Sequence, residues 1–242
     1  MDIMNSDYNI IQKILDNKSD YTKLIILVEH WKNYDDNWSE YLNLYGDYTF
    51  GTLIRNALMQ NDYINEIYVE KNIGLNWGNQ TVVGILSTKL FKSIYIGGCS
   101  MEVFEYLSKN TNNNLESLRV SEGTDFNMDF GKNIGRYKSL INLDLTFCSN
   151  NKVANILSSD FIIGNKMLRK INVNSEYVND EGLLDIFKDN YTLINCTINN
   201  KCSDKIENIM IRNRKYKITI LLCMNRRIIP RCVFKNMILI NL

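Results

Sequence analysis

Nine residues near the middle of the chain, Leu140-Ile141-Asn142-Leu143-Asp144-Leu145-Thr146-Phe147-Cys148, constrain its fold more than any other feature. They read L-x-x-L-x-L-x-x-C, and Leu143 and Leu145 are separated by one polar residue, the period of a strand with one buried face. Weaker copies begin at Ile64, Phe91, Leu115, Leu168 and Leu193, so the six starts lie 27, 24, 25, 28 and 25 residues apart. The paired inward positions are Ile67 and Val69, Ile94 and Ile96, Leu118 and Val120, Leu143 and Leu145, Ile171 and Val173, and Cys196 and Ile198. A single L-x-L carries no information. The same pair recurring at near-constant spacing means a chain built of stacked units, each burying its apolar side against the next.

Helical segments are expected between these strands, at Leu53 to Leu58, Val82 to Leu90, Val103 to Leu107, Gly131 to Tyr137, Ala154 to Leu157, Leu183 to Phe187 and Ile206 to Ile211. After three strands stands an Asn or Cys, at Asn72, Cys99 and Cys148, suited to turning the chain inward; Gly123, Glu176 and Lys201 occupy that place in the other copies. The stretch Val178-Asn179-Asp180-Glu181-Gly182-Leu183-Leu184 offers a capping side chain and an acidic first helical turn. With the L-x-x-L-x-L-x-x-C pattern, it resembles the leucine-rich repeats of ribonuclease-inhibitor-like and F-box-type proteins over about residues 53 to 214. That resemblance implies an α/β solenoid, a horseshoe with parallel strands on the concave face and helices outside.

The chain divides into residues 1–50, an expected helical N-terminal cap; 51–214, the repeat array; and 215–242, an expected C-terminal cap. Ile14-Leu15 and then Leu24-Ile25-Ile26-Leu27-Val28-Glu29-His30-Trp31 are similar to an F-box, with its opening Leu-Pro absent and the gap between the apolar blocks shorter. The resemblance implies that Leu24, Leu27, Val28 and Trp31 form a helical stripe able to dock on the adaptor subunit of a cullin ubiquitin ligase. Near the other end, Ile218 to Met224 is an apolar strand or helix expected to close the array. Beyond it, Ile229-Pro230-Arg231-Cys232-Val233 resembles the opening of a truncated F-box.

Composition narrows function mainly by exclusion. A net charge of +1 lacks the basic excess of a general nucleic-acid binder. The longest apolar runs fall far short of the roughly 18–20 residues a membrane helix needs, and no signal peptide is evident. A monomer in the cytoplasm, or the host cytoplasm if viral, is the expectation. The six cysteines are read as reduced thiols, since no paired C-x-x-C or Cys/His spacing marks a metal site. Asparagine, about one residue in seven, points to an AT-rich genome. His30 is the single histidine, and no catalytic signature or cofactor motif occurs. An enzyme is not expected.

Binding is therefore the expected role. Side chains alternate across a strand, so the residues facing away from the core follow directly from the inward ones. Their central column is Tyr68, Tyr95, Arg119, Asp144, Asn172 and Thr197, flanked by Glu66, Ser93, Ser117, Asn142, Lys170 and Asn195. Glu66, Tyr68, Tyr95, Arg119, Asp144 and Asn172 are the candidate partner-binding residues, since Tyr and Arg dominate interface hot spots. The sharper version of this role is a substrate adaptor for ubiquitin ligation. The alternative is a structural, actin-associated capping protein of the tropomodulin type, whose final repeat looks similar.

Overall fold

Each strand of the molecule pairs in parallel with the strands immediately before and after it in the chain, giving a single eight-stranded sheet in sequential order. The computed structural model describes residues 2–4, 10–27, 47–70, 77–97, 101–110, 114–121, 137–146, 165–174, 180–198 and 202–225. The strands are β1 (Asp2–Met4), β2 (Lys23–Leu27), β3 (Glu66–Glu70), β4 (Ser93–Gly97), β5 (Ser117–Ser121), β6 (Asn142–Thr146), β7 (Lys170–Asn174) and β8 (Asn195–Ile198). The described helices are α1 (Ile10–Leu15), α2 (Asp47–Met59), α3 (Trp77–Leu86), α4 (Met101–Lys109), α5 (Asp180–Phe187) and α6 (Asp204–Asn225). Parallel neighbours require a crossover between strands, and a described helix lies in every connection except β5 to β6 and β6 to β7.

All twelve inward positions named from the sequence are buried, none more than 5% exposed. They share one apolar cluster with Ile54 and Leu58 of α2, Val82 and Ile85 of α3, Val103 and Leu107 of α4, and Leu183 and Phe187 of α5. The described helices therefore cover one face of the sheet and leave the other uncovered by any of them. The expected helices at Ala154 to Leu157 and Gly131 to Arg136 lie outside the described residues, as do Asn72, Cys99, Gly123, Cys148, Glu176 and Lys201.

The repeat is visible in backbone hydrogen bonding as well as in sequence. At the entry to each strand, two successive amides donate to one carbonyl of the preceding unit. Asn65 and Glu66 donate to Thr22, Lys92 and Ser93 to Asn65, Glu116 and Ser117 to Lys92, and Ile141 and Asn142 to Glu116; Arg169 and Lys170 then donate to Ile141, and Ile194 and Asn195 to Arg169. Thr22 thus stands where Asn65 stands one unit later, which makes residues from Tyr21 onward a further copy.

This corrects the N-terminal expectation. Residues 23–27 are a strand, not part of a helical stripe, and Leu24 is a fully buried inward residue paired in register with Ile67. The run Leu24-Ile25-Ile26-Leu27 is apolar at every position, so periodicity alone could not separate a buried strand from a buried helix. Tertiary pairing with β3 decided it. Leu27 ends the same strand, whereas Val28 and Trp31 lie outside the described residues. Of the expected N-terminal helices, α1 is present, and Asn17 just beyond it adopts a positive φ of 48°. Its side chain then accepts from the Asp62 amide at 2.8 Å, which ties the end of α1 to the next unit.

A second device, not anticipated from the sequence, stitches the units together. Three residues before the first apolar position of a unit stands a buried polar side chain: Asn61, Tyr137, Asn165 and Asn190. The Asn165 Oδ1 accepts from the amides of Met167 and Leu168, both at 3.0 Å, while its Nδ2 donates to the Tyr137 carbonyl at 2.9 Å. Asn61 repeats this with Tyr63, Ile64 and the Ile14 carbonyl. One amide thereby closes its own turn and satisfies a carbonyl that the preceding unit leaves unpaired.

At Tyr137 a phenol does the second half of that task, its hydroxyl donating to the Leu107 carbonyl at the end of α4. Burial raises the Tyr137 phenol above its usual range. A raised acid favours the protonated folded state, so this contribution is intact below the ordinary tyrosine value of about 10 and is lost as pH climbs above it. Stability measured by denaturant melts is expected to fall through that alkaline range. Tyr137→Phe should lose about 1–3 kcal/mol at neutral pH and show a shallower alkaline decline.

The C-terminal expectation also needs revision. The array is closed by the first turns of α6, which the sequence had assigned to the last repeat: Ile206, Met210 and Asn213 are fully buried. Asn213 Nδ2 donates to the carbonyls of Asn190 and Leu193, at 2.9 and 2.6 Å, taking the part that the next unit's asparagine would play. Arg212 completes the seal, donating to the Lys188 and Asn190 carbonyls with its guanidinium 4.3 Å from the Tyr191 ring centre. The stretch from 218 is helix, not strand, and Ile218, Leu221 and Leu222 remain about half exposed. They are not the residues that close the core. Those that do lie one helical turn apart on α6, facing α5 and β8.

Candidate partner-binding face

Glu66, Tyr68, Tyr95, Arg119, Asp144 and Asn172 all fall on the uncovered face, and strand register puts the last five in one row. The row is physically continuous. Tyr68 and Tyr95 stack with ring centres 3.8 Å apart and planes 10° from parallel. The Arg119 guanidinium lies 5.0 Å from the far face of Tyr95, and Lys23 of β2 lies 5.7 Å from the Tyr68 ring centre. Arg119 Nε also meets Asp144 Oδ2 at 3.4 Å, and Asn172 Nδ2 donates to Asp144 Oδ1 at 3.2 Å. From Lys23 to Asn172 the contacts run cation, ring, ring, cation, carboxylate, amide.

Such a row forms because parallel in-register pairing brings equivalent residues to about 4.8 Å, close to the stacking distance of planar side chains. Each cation–π contact at an exposed site contributes about 0.5–1 kcal/mol. The consequence for binding is that these side chains are held in place before any partner arrives. A second tie comes from Ser121, whose Oγ lies 2.7 Å from the Tyr95 hydroxyl. The two tyrosines consequently offer ring edges rather than ring faces, since their faces are committed to each other and to Lys23 and Arg119.

Beyond Arg119 the face changes character. A shallow depression of about 370 Å³ lies over β5 to β8, bordered by Arg119, Asn142, Asp144, Lys170, Asn172 and Asn195. Every outward side chain of β6 to β8 along its floor is polar. The carbonyl oxygen of Asn172 is covered and has no hydrogen-bond donor.

Two participants in the row are not evident from the sequence. Lys23 was hidden because its strand looked helical; an L-x-I pair at Leu24 and Ile26 is its one signal. Ser121 lies two residues beyond Arg119 along β5, in a third outward column past the central and flanking ones. Glu66, by contrast, stands in the flanking column beside Lys23 and Ser93, at the edge of the row. Ile25 takes the row's position on β2 and is only 8% exposed, so the row ends there as an accessible surface.

Among the described residues, no group of three or more His, Cys, Asp or Glu side chains stands together, and no helix is long and apolar enough to cross a membrane. The fold and site together define an all-parallel α/β protein of stacked units with one preorganised polar-aromatic face. In comparison with known proteins, no family model and no curated protein matches the chain.

Proposed function

We propose that the chain is a leucine-rich-repeat protein that binds another protein through the open face of its sheet, without catalysis. The repeat assignment is supported by the sequential parallel strands, the recurrent two-amide bond at each strand entry and the buried asparagine that links units. The observation that carries the binding role is the row from Lys23 to Asn172: six side chains, four of them aromatic or cationic, ordered on a surface that none of the described helices covers. Ordering exposed side chains costs conformational entropy, and a partner meeting them already ordered does not incur that cost again. A ligase-adaptor version is not retained at the N-terminus, because Leu24 and Leu27 belong to a strand rather than to a docking helix.

An affinity pull-down from cell extract tests this with three proteins. These are the wild type, a Tyr68→Ala/Tyr95→Ala/Arg119→Ala variant, and a control in which the exposed α4 pair Glu105 and Lys109 is exchanged. A partner retained by wild type and control but lost from the triple variant is the expected result. Identical retention by all three would mean the row is merely a solvated surface.

A further inference from the structure

The row runs along β2 to β7, but the chemistry of the depression beside it is different, and it selects a narrower ligand. Asn142, Lys170 and Asn195 are in register on three adjacent strands, so a lysine stands between two primary amides. Of the three charged groups bordering the depression, Asp144 is engaged by both Arg119 and Asn172. Among the described residues Lys170 has no carboxylate partner, and it is exposed. The uncompensated charge is thus positive. An anionic group is attracted here and a cationic one is not.

The two amides say what carries that anion. A primary amide offers a donor and an acceptor side by side, the same pair a peptide group offers, and can bond both its N–H and C=O. Asn142 and Asn195 are two strands apart, roughly 10 Å, which is about three residues of extended chain. Leu143 and Ile171 also line the depression, but their side chains are buried inward, so the side chains that reach a ligand there are the polar ones. A stacked ring or nucleobase would find the nearest aromatic faces, those of Tyr68 and Tyr95, already occupied. The covered Asn172 carbonyl, which lacks a donor, is a further hydrogen-bonding capacity that a turn of that amide would bring to a ligand N–H.

From this geometry we infer that the depression over β6 to β8 takes an extended acidic peptide segment lying across the strands, with an Asp or Glu side chain on Lys170 and the backbone amides on either side of it on Asn142 and Asn195. The inference rests on the protein-binding role proposed above and names the chemistry of the partner's contacting segment. Lys170 then sets specificity for one acidic position. The asparagines contribute affinity that is indifferent to sequence, because they touch only the peptide backbone.

The test uses the full chain and a displayed library of short random peptides, selected on wild type and re-measured with purified peptides. Selected peptides are expected to share one Asp or Glu. Lys170→Glu should weaken them by at least about tenfold, and exchanging the peptide's acid for lysine should restore binding to that variant. Asn142→Ala/Asn195→Ala should weaken all selected peptides by a similar factor. Peptides that lose binding in the Tyr68/Tyr95/Arg119 variant but share no acid and ignore Lys170→Glu would overturn the acidic-segment inference while leaving the binding role intact. Loss of binding in Lys170→Glu without recovery by the exchanged peptide would equally overturn it. Failure to select any peptide, with a folded protein still captured in the pull-down, would show that the partner presents a different chemistry.

Discussion

Leu24→Asp is expected to unfold the N-terminal end of the array, with a loss of at least about 4 kcal/mol, because it places an unpaired carboxylate where a fully buried leucine packs. The variant separates two incompatible roles for the same residue. On an exposed docking helix, an aspartate at this position would abolish a contact and leave the fold alone. As the inward residue of β2, paired with Ile67, it must carry charge into the cluster that also contains Ile14, Ile54 and Leu58. Circular dichroism during urea unfolding gives the answer. A midpoint close to wild type would return Leu24 to the surface and remove β2 from the sheet. Because each described strand pairs only with its neighbours in the sequential sheet, the damage should be graded rather than global. Hydrogen exchange is then expected to show the largest loss of protection in β2 and β3 and little change in β7 and β8.

The second large effect concerns a polar residue. Asn165→Leu keeps the branched shape and heavy-atom count of the side chain and adds apolar surface in a position only 1% exposed, so hydrophobicity alone would call it harmless. It is expected to cost about 2–4 kcal/mol. The amides of Met167 and Leu168 lose their acceptor, and the Tyr137 carbonyl loses its donor; the bonds to Leu168 and Tyr137 are buried, where water does not readily substitute. Asn165→Asp makes the complementary test. It keeps the acceptor for both amides but cannot donate to Tyr137, and it places a charge in the core, so it should also destabilise. Chemical denaturation of both variants against wild type is the measurement. If Asn165→Leu proves neutral or stabilising, the buried asparagines are not what joins the units.

These two residues also show how the sequence informs and where it stops. The twelve inward positions of β3 to β8 are legible from residue spacing alone, and every one is buried. They are legible because the strand period is two, the repeat spacing is nearly constant, and an apolar pair recurs six times. The outward row is legible for the same reason: alternation fixes which side chains share a face. That Tyr68 and Tyr95 would be neighbours followed from register; that they would stack at 3.8 Å with a cation at either end did not, since Lys23 belongs to a strand the pattern concealed.

Sequence alone therefore determined the period, the buried face and the residues of the open face from β3 onward. Three matters were decided only by tertiary structure. An apolar run without alternation became β2 because an unpaired edge at β3 was there to receive it. Asn61 and Asn165, which the repeat pattern does not mark, became buried ties because the adjacent unit supplied a carbonyl. Among the described residues the last repeat is covered by Ile206, Met210 and Asn213 rather than by Ile218, Leu221 and Leu222, with Asn213 satisfying the carbonyls of Asn190 and Leu193. In each case the deciding partner lies in a neighbouring unit, far along the chain, where local pattern holds no information about it.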